Sequence, residues 1–229
     1  ALSSAASSTR ITAPAICADG SGGALVAWGE LDSLGAIAFR IHRVDGAGDP
    51  PTGWTASGSR VGTPLAPLGA FASVPDGAGG AILAWTEGNS TAASAFALRI
   101  TATGAVAAGW PARGASVTSG TVDGPLGVVE DGAGGVLLTW RRTAVGARHD
   151  IHYQRLLGSG ARAAGFPAAG RSITSSLIFR TDFLWPSVVR DPVGGFWVSY
   201  PLVGPDPESE PSESIVLRLL ATGLPDPDQ

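Results

Sequence analysis

One short pattern recurs four times along this chain and limits what it can fold into more than any other feature. The copies are Asp19-Gly20-Ser21-Gly22-Gly23 leading to Trp28, Asp76-Gly77-Ala78-Gly79-Gly80 leading to Trp85, Asp131-Gly132-Ala133-Gly134-Gly135 leading to Trp140, and Asp191-Pro192-Val193-Gly194-Gly195 leading to Tyr200. From Asp to Asp the spacings are 57, 55 and 60 residues. Self-similarity at such a period means one supersecondary unit stacked on copies of itself, as a solenoid, a propeller or an array.

The repeat reaches well past the turn. Each aromatic is followed by an Arg with an aliphatic neighbour, namely Arg43-Val44, Arg99-Ile100, Arg155-Leu156 and Arg218-Leu219. Five residues after each Arg stands a glycine: Gly48, Gly104, Gly160 and Gly223. Three copies then carry a glycine–aromatic pair, Gly53-Trp54, Gly109-Trp110 and Gly165-Phe166, a closing Gly58, Gly114 or Gly170, and a β-branched Val61, Val117 or Ile173.

Each unit reads as four short strands. The first, such as Ala15–Ala18, turns through the Asp-Gly segment, where glycine reaches positive φ without steric cost and the Asp side chain accepts backbone N–H groups. The second, Ala24 to Trp28, is almost wholly apolar, as a strand buried on both faces would be. The third runs from Ala36 to Val44 and a short fourth surrounds Val61. No sustained 3.6-residue apolar stripe supports a helix, and the 33 glycines and 17 prolines punctuate the chain throughout. The expected fold is all-β, a β-propeller of four four-stranded blades. The expected organisation is a single domain over residues 1–229, with repeats at approximately 5–61, 62–117, 118–173 and 174–229 plus 1–4. Ala1-Leu2-Ser3-Ser4 aligns with the start of the fourth strands at Val117 and Ile173, so the N-terminal strand is expected to join the last blade, close the ring and remove an exposed edge.

Composition narrows the function classes. Residues 201–229 hold six acids against one Arg, while the chain as a whole has a net charge of −4. A near-neutral body with an acidic end offers no basic footprint, so no nucleic-acid partner is expected. No stretch approaches the roughly 20 apolar residues that cross a bilayer, so no transmembrane segment is expected. There is no Met and no Lys, and Ala, Gly and Pro are abundant, which reads as the codon bias of a GC-rich bacterium. The Ala1 start fits a processed N-terminus and an extracytoplasmic location. Cys17 aligns with Val74, Val129 and Val189, so it is read as a small core hydrophobe.

No residue pattern announces catalysis, and neither an enzyme activity nor a cofactor is expected. His149-Asp150-Ile151-His152 superficially resembles a metal pair, but strand residues three apart point to opposite faces, so no metal is expected and the histidines are read as surface residues. Each Asp-Gly turn offers one carboxylate, far short of the six to eight oxygens of a Ca²⁺ site. The aromatics Trp28, Trp85, Trp140 and Tyr200 are expected to fill the interfaces between blades. Arg43, Arg99, Arg155 and Arg218 are expected to anchor loop carbonyls or a carboxylate, and Asp19, Asp76, Asp131 and Asp191 to hold structural turns.

The copies differ in blade four. Its second-to-third-strand connection and the link leading into it are both longer than in the other copies, and in a propeller these two connections emerge on the same face. Loops that break a repeat's pattern commonly carry the binding. The candidate interaction residues are therefore Arg180, Asp182, Phe183 and Trp185 of one insertion and Glu208 and Glu210 of the other. An exposed aromatic cluster with an Arg fits a protein hot spot or a sugar-stacking platform. Trp197, aligned with Leu25, Ile82 and Leu137, is read as core.

The Asp-Gly-x-Gly-Gly…Trp…Arg unit resembles the repeats of bacterial secreted or surface β-propeller proteins, and the resemblance spans essentially the whole chain. It implies an extracytoplasmic propeller. The Asp-plus-Trp element is also reminiscent of sialidase Asp-boxes and quinoprotein propeller motifs, without the Ser-x-Asp-x-Gly-x-x-Trp spacing of the former. The first functional expectation is a non-catalytic accessory subunit that docks on protein partners in a larger extracytoplasmic assembly. The alternative is a carbohydrate-binding, lectin-like propeller.

Overall fold

A computed structural model describes residues 10–12, 14–31, 36–55, 57–65, 68–89, 93–143, 149–173, 182–183, 185–203 and 213–227. Every element in it is a strand, and the strands form four antiparallel sheets in sequence order, the blades of a β-propeller. Blade 1 holds β1 (Arg10–Ile11) and β2 (Ala15–Ala18), which pair one after the other with β3 (Ala24–Leu31), followed by β4 (Ile37–Val44) and β5 (Ser59–Val61). Blade 2 is β6 (Leu68–Pro75), β7 (Ala81–Glu87), β8 (Ser94–Ile100) and β9 (Ala115–Ser116). Blade 3 is β10 (Asp123–Glu130), β11 (Val136–Thr143), β12 (His149–Leu156) and β13 (Arg171–Ser172). In blade 4, β14 (Asp182–Phe183) and β15 (Ser187–Arg190) share β16 (Phe196–Val203), which pairs on its other side with β17 (Glu213–Leu219). The first strands β2, β6, β10 and β15 touch in that succession, so they line the inside of the arc. Residues 1–4, expected to close the ring, lie outside the described residues.

The repeated Asp is the latch of each blade. In blade 2, Asp76 Oδ1 accepts the amides of Ala78 (2.8 Å) and Gly80 (2.7 Å), while Oδ2 meets Arg99 Nε at 2.9 Å. Asp19–Arg43, Asp131–Arg155 and Asp191–Arg218 repeat the ion pair at 2.7, 2.8 and 2.8 Å. The carboxylate thus ties the first turn to the third strand. The last glycine of the motif is required by that closeness. A Cβ on Gly23, Gly80 or Gly135 would stand 2.1, 2.1 or 2.4 Å from the carbonyl oxygen of Val44, Ile100 or Leu156. Hydrogen bonds from Ser21 hold the Asp19 carboxyl well below the usual carboxylate range. Burial pushes the Asp131 carboxyl up, but Arg155 and the amides of Ala133 and Gly135 bring it below its ordinary value.

The glycine–aromatic pairs stitch neighbouring blades together. Trp54 of blade 1 donates its indole N–H to the carbonyl of Ala102 in blade 2 at 3.3 Å, and Trp110 of blade 2 donates to Gly158 of blade 3 at 2.9 Å. Each ring lies on the glycine five residues after the neighbour's Arg. A Cβ on Gly104, Gly160 or Gly223 would come within 2.9 Å of Trp54, 3.1 Å of Trp110 or 3.0 Å of Phe166. Two of the motif's recurring features are therefore halves of one inter-blade contact.

The second-strand aromatics are core. Trp85 and Trp140 are fully buried, and Trp85 packs against Phe39 of blade 1 (4.8 Å, edge-on) and Phe96 (5.8 Å, stacked). In two blades the buried indole N–H donates to a Glu two residues on, Trp28 to Glu30 at 3.1 Å and Trp85 to Glu87 at 3.0 Å. Blade 3 has Arg142 at that position, and Trp140 stacks instead on His152 at 6.0 Å. Cys17 is buried as its alignment requires, and its thiol is pushed up to about 11, chiefly by burial.

Two expectations change. His152 is not a surface residue, being 4% exposed, because its strand is covered on both faces. Trp197 is only half-buried, with the Arg218 guanidinium 5.9 Å from its ring, since the side of blade 4 that it faces is not covered as the equivalent sides of the other blades are.

Buried His152 makes the fold acid-sensitive. Burial first, then the Arg142 charge, pushes its pKa from 6.5 down to about 4, against a smaller opposing pull from Asp150. The unfolded chain takes up this proton near pH 6.5 and the folded chain only near pH 4. Stability is therefore complete above pH 6.5 and falls as pH drops between these values, by about 3 kcal/mol once the window is crossed. Blade 2 carries Phe96 at the same position, so His152→Phe is expected to abolish this loss. Urea midpoints at pH 7 and pH 4.5 check it, and an unchanged difference between the two would contradict it.

Candidate functional site

All four innermost strands break at the same place. In blade 1 the break separates β1 from β2, and in blade 4 it separates β14 from β15. In blades 2 and 3 the register shifts between Leu68 and Phe71 and between Asp123 and Gly127. A bulge leaves backbone groups outside the ladder and turns the strand, which is why such irregularities recur beside functional sites. Here side-chain hydroxyls take up part of the slack. Thr12 Oγ1 accepts from the Gly29 amide, and Thr86 Oγ1 from the Ala70 amide, each at 2.8 Å.

Between blades 2 and 3 the break opens into a cleft of about 410 Å³, lined by Gly69, Ala70, Thr86, Gly88, Asn89, Ala93, Val122, Gly124 and Pro125. These residues come from the starts of β6 and β10, the end of β7, the β7–β8 connection and the link from β9 to β10. The cleft therefore opens on the face expected to carry binding, where second-to-third-strand connections and inter-blade links emerge.

Trp185 stands beside this cleft. It occupies the break of blade 4 but lies over Gly124 of blade 3, so close that a Cβ there would meet its Nε1. Gly124 has φ +75° and belongs to both the cleft lining and the seat of the indole. The Arg141 guanidinium carbon sits 5.0 Å from the Trp185 ring centroid, a cation–π contact that fixes the ring. Arg141 Nη2 in turn donates to Asp123 Oδ2 at 2.6 Å, and His149 Nε2 lies 3.2 Å from the same oxygen. Arg141 Nε is buried and unpaired among the described residues. Trp185 remains 47% exposed despite these contacts. The arrangement is a half-exposed aromatic ledge with a charge-balanced polar cluster behind it and a concave pocket alongside.

Arg180, Glu208 and Glu210 lie outside the described residues. Asp182 and Phe183 pair with Val203 and Leu202 at the break of blade 4, in backbone terms only. The repeated Asp, Arg and aromatic residues stand in latches and core. The sequence did not single out Asp123, Gly124 or Arg141. Their one visible signal is the pair of glycines, Gly69 and Gly124, at the same repeat position beside the break. Among the described residues no group of three or more His, Cys, Asp or Glu side chains could hold a metal ion, and no helix is long and apolar enough to cross a membrane.

No protein-family model matches the sequence, and no curated protein matches it. Among solved structures the chain is similar to the endo-arabinase of Bacteroides thetaiotaomicron, at 14% identity and a TM-score of 0.39 over 86% of this chain and 71% of that one. A thermostable family-43 glycoside hydrolase gives 13% identity and a TM-score of 0.39 over 86% and 68%. The Bacteroides ovatus xyloglucan PUL protein GH43B gives 12% and 0.39 over 89% of this chain and 40% of that one. The likeness is one of fold, and no residue role passes from those proteins to this one. Those three are named as an endo-arabinase, a glycoside hydrolase and a GH43 protein, none of them a docking subunit, so the first functional expectation, a non-catalytic accessory subunit without enzyme activity, is corrected and set aside.

Proposed function

We propose that this chain is a carbohydrate-binding propeller that stacks a neutral sugar unit on Trp185 and seats the adjoining part of the glycan in the cleft between blades 2 and 3. The observation that carries this reading is the half-exposed indole that rests against Gly124 and carries Arg141 over its ring at the rim of that cleft. A sugar ring presents apolar C–H faces and a periphery of hydroxyls. An aromatic plane with flanking hydrogen-bonding groups matches both, as binding sites generally combine an apolar wall with a few placed polar groups. Thr86, Asn89, Arg141 and Asp123 are the polar groups within this set. Arg141 and Asp123 neutralise each other, which favours a neutral glycan over a uronate. The repeat's resemblance to secreted bacterial propellers supports an extracytoplasmic location, where polymeric glycans are met.

Electrophoresis through gels containing neutral or acidic polysaccharides tests the reading. Retardation by at least one neutral polysaccharide is expected, together with its loss in Trp185→Ala. Migration unaffected by every polysaccharide, or retardation only by acidic ones, would overturn it. Gly124→Val is expected to act like Trp185→Ala, because the added side chain takes the place of the indole while Trp185 itself is retained.

A further inference from the structure

Blade 4 and blade 1 each present one half of an inter-blade interface, and among the described residues no strand of one is paired with a strand of the other. At the interfaces that are made, the residue two before the Asp of one blade faces the residue three before the Asp of the next. Cys17 of blade 1 meets Ser73 of blade 2. Val74 and Val128 belong to one core cluster and Val129 and Val188 to the other. The remaining members of the two series are Val189 on blade 4 and Ile16 on blade 1. They are 59% and 67% exposed, whereas Cys17 is 9% exposed.

Among the described residues, two further contacts made elsewhere are missing at the same seam. Val216 on β17 corresponds to Ile41, Ala97 and Tyr153, counted back from the repeated Arg. Those three are fully buried and paired with fourth strands, while Val216 is 59% exposed. Among the described residues, no strand pairs with the outer edge of β17. Gly48 corresponds to Gly104, Gly160 and Gly223, each of which lies beneath the aromatic ring of the preceding blade. Among the described residues, nothing stands within 4 Å of the Cβ position of Gly48.

We infer that this seam receives a further unit of the same repeat. Each made interface needs an apolar step, a fourth strand and an aromatic ring, and one additional blade supplies all three to the flanks that lack them. A second copy of this chain would bring no ring to Gly48, because its fourth unit has Gln229 where Trp54, Trp110 and Phe166 stand. Residues 1–4 would supply a strand to β17 and likewise no ring. The unit that fits carries an apolar residue two before its Asp to meet Ile16, another three before it to meet Val189, and a glycine–aromatic pair to rest on Gly48.

The test compares two proteins. One is the chain as it stands. The other carries Gln229→Trp followed by a second copy of residues 111–173, which completes blade 4 and adds a fifth blade. The longer protein is expected to remain monomeric, to bind less of a hydrophobic dye such as anilinonaphthalene sulfonate, and to melt higher by on the order of 5 °C. Ile16→Asp and Val189→Asp are expected to leave the melting temperature of the 229-residue chain unchanged and to lower that of the longer protein. If either substitution destabilises the 229-residue chain, its seam is already filled, by residues 1–4 in a monomer or by a second copy in a dimer, and the inference fails. It also fails if the longer protein gains neither melting temperature nor dye exclusion.

Discussion

Trp85→Ala is expected to cost about 3–5 kcal/mol, the usual range for removing a fully buried aromatic. For a chain of this length that lowers the melting temperature by roughly 10 °C. The size follows from the position of the ring. Trp85 is 0% exposed, touches Phe39 of the neighbouring blade and Phe96 of its own, and covers the Cβ position of Gly114 at 2.3 Å. The cavity would open where blades 1 and 2 meet, and the buried Glu87 would lose one of its donors. Val189→Ala removes two methyl groups from an exposed residue and is expected to change stability by less than about 0.5 kcal/mol. Calorimetry on the two variants checks the contrast. Equal melting temperatures would mean that Trp85 does not hold the blades together.

The second large effect is expected from Asp76→Ala, at about 3 kcal/mol. The Asp76 side chain is 1% exposed, and it satisfies two turn amides and the Arg99 guanidinium at once. Its removal leaves the Gly80 amide without an acceptor and Arg99 without its counter-charge. Asp76→Asn keeps an acceptor for the amides and gives up only the charge, so it is expected to cost roughly half as much. Urea unfolding of the three proteins checks the order. Asp76→Ala within 0.5 kcal/mol of the parent would show that the turn holds its shape without the latch.

Much of this architecture was legible because repetition turns single residues into series. One Asp-Gly turn is a hairpin signal of many kinds. Four, each followed at a near-constant distance by an aromatic and then an Arg, require a unit in which the three are structurally linked, and the Asp–Arg latch is that link. The glycines after the Arg and the glycine–aromatic pairs were visible as separate series. Their contact was not, because it joins different units and a pattern read within one unit cannot contain it. The same limit hid the candidate site. Trp185 stood out as the large residue among Ala13, Ala70 and Pro125 at its repeat position, and it lies on the face anticipated from loop lengths. The groups that make it a ledge, Gly124, Arg141 and Asp123, belong to blade 3, where nothing in spacing or composition marks them. His152 was misread for a related reason. Alternation along a strand shows which side a residue faces, not whether the next blade covers that side.

Trp185 is the anchor of the proposed glycan site. Isothermal titration of the parent protein, Trp185→Phe and Trp185→Ala tests it most directly, using oligosaccharides of whichever neutral polymer retards the protein. Measurable binding by the parent, partial retention with Phe, and at least a roughly 30-fold loss with Ala are expected, the weight of about 2 kcal/mol of an anchoring aromatic. Equal affinity of the parent and Trp185→Ala, or no heat from any glycan with the parent, would contradict it.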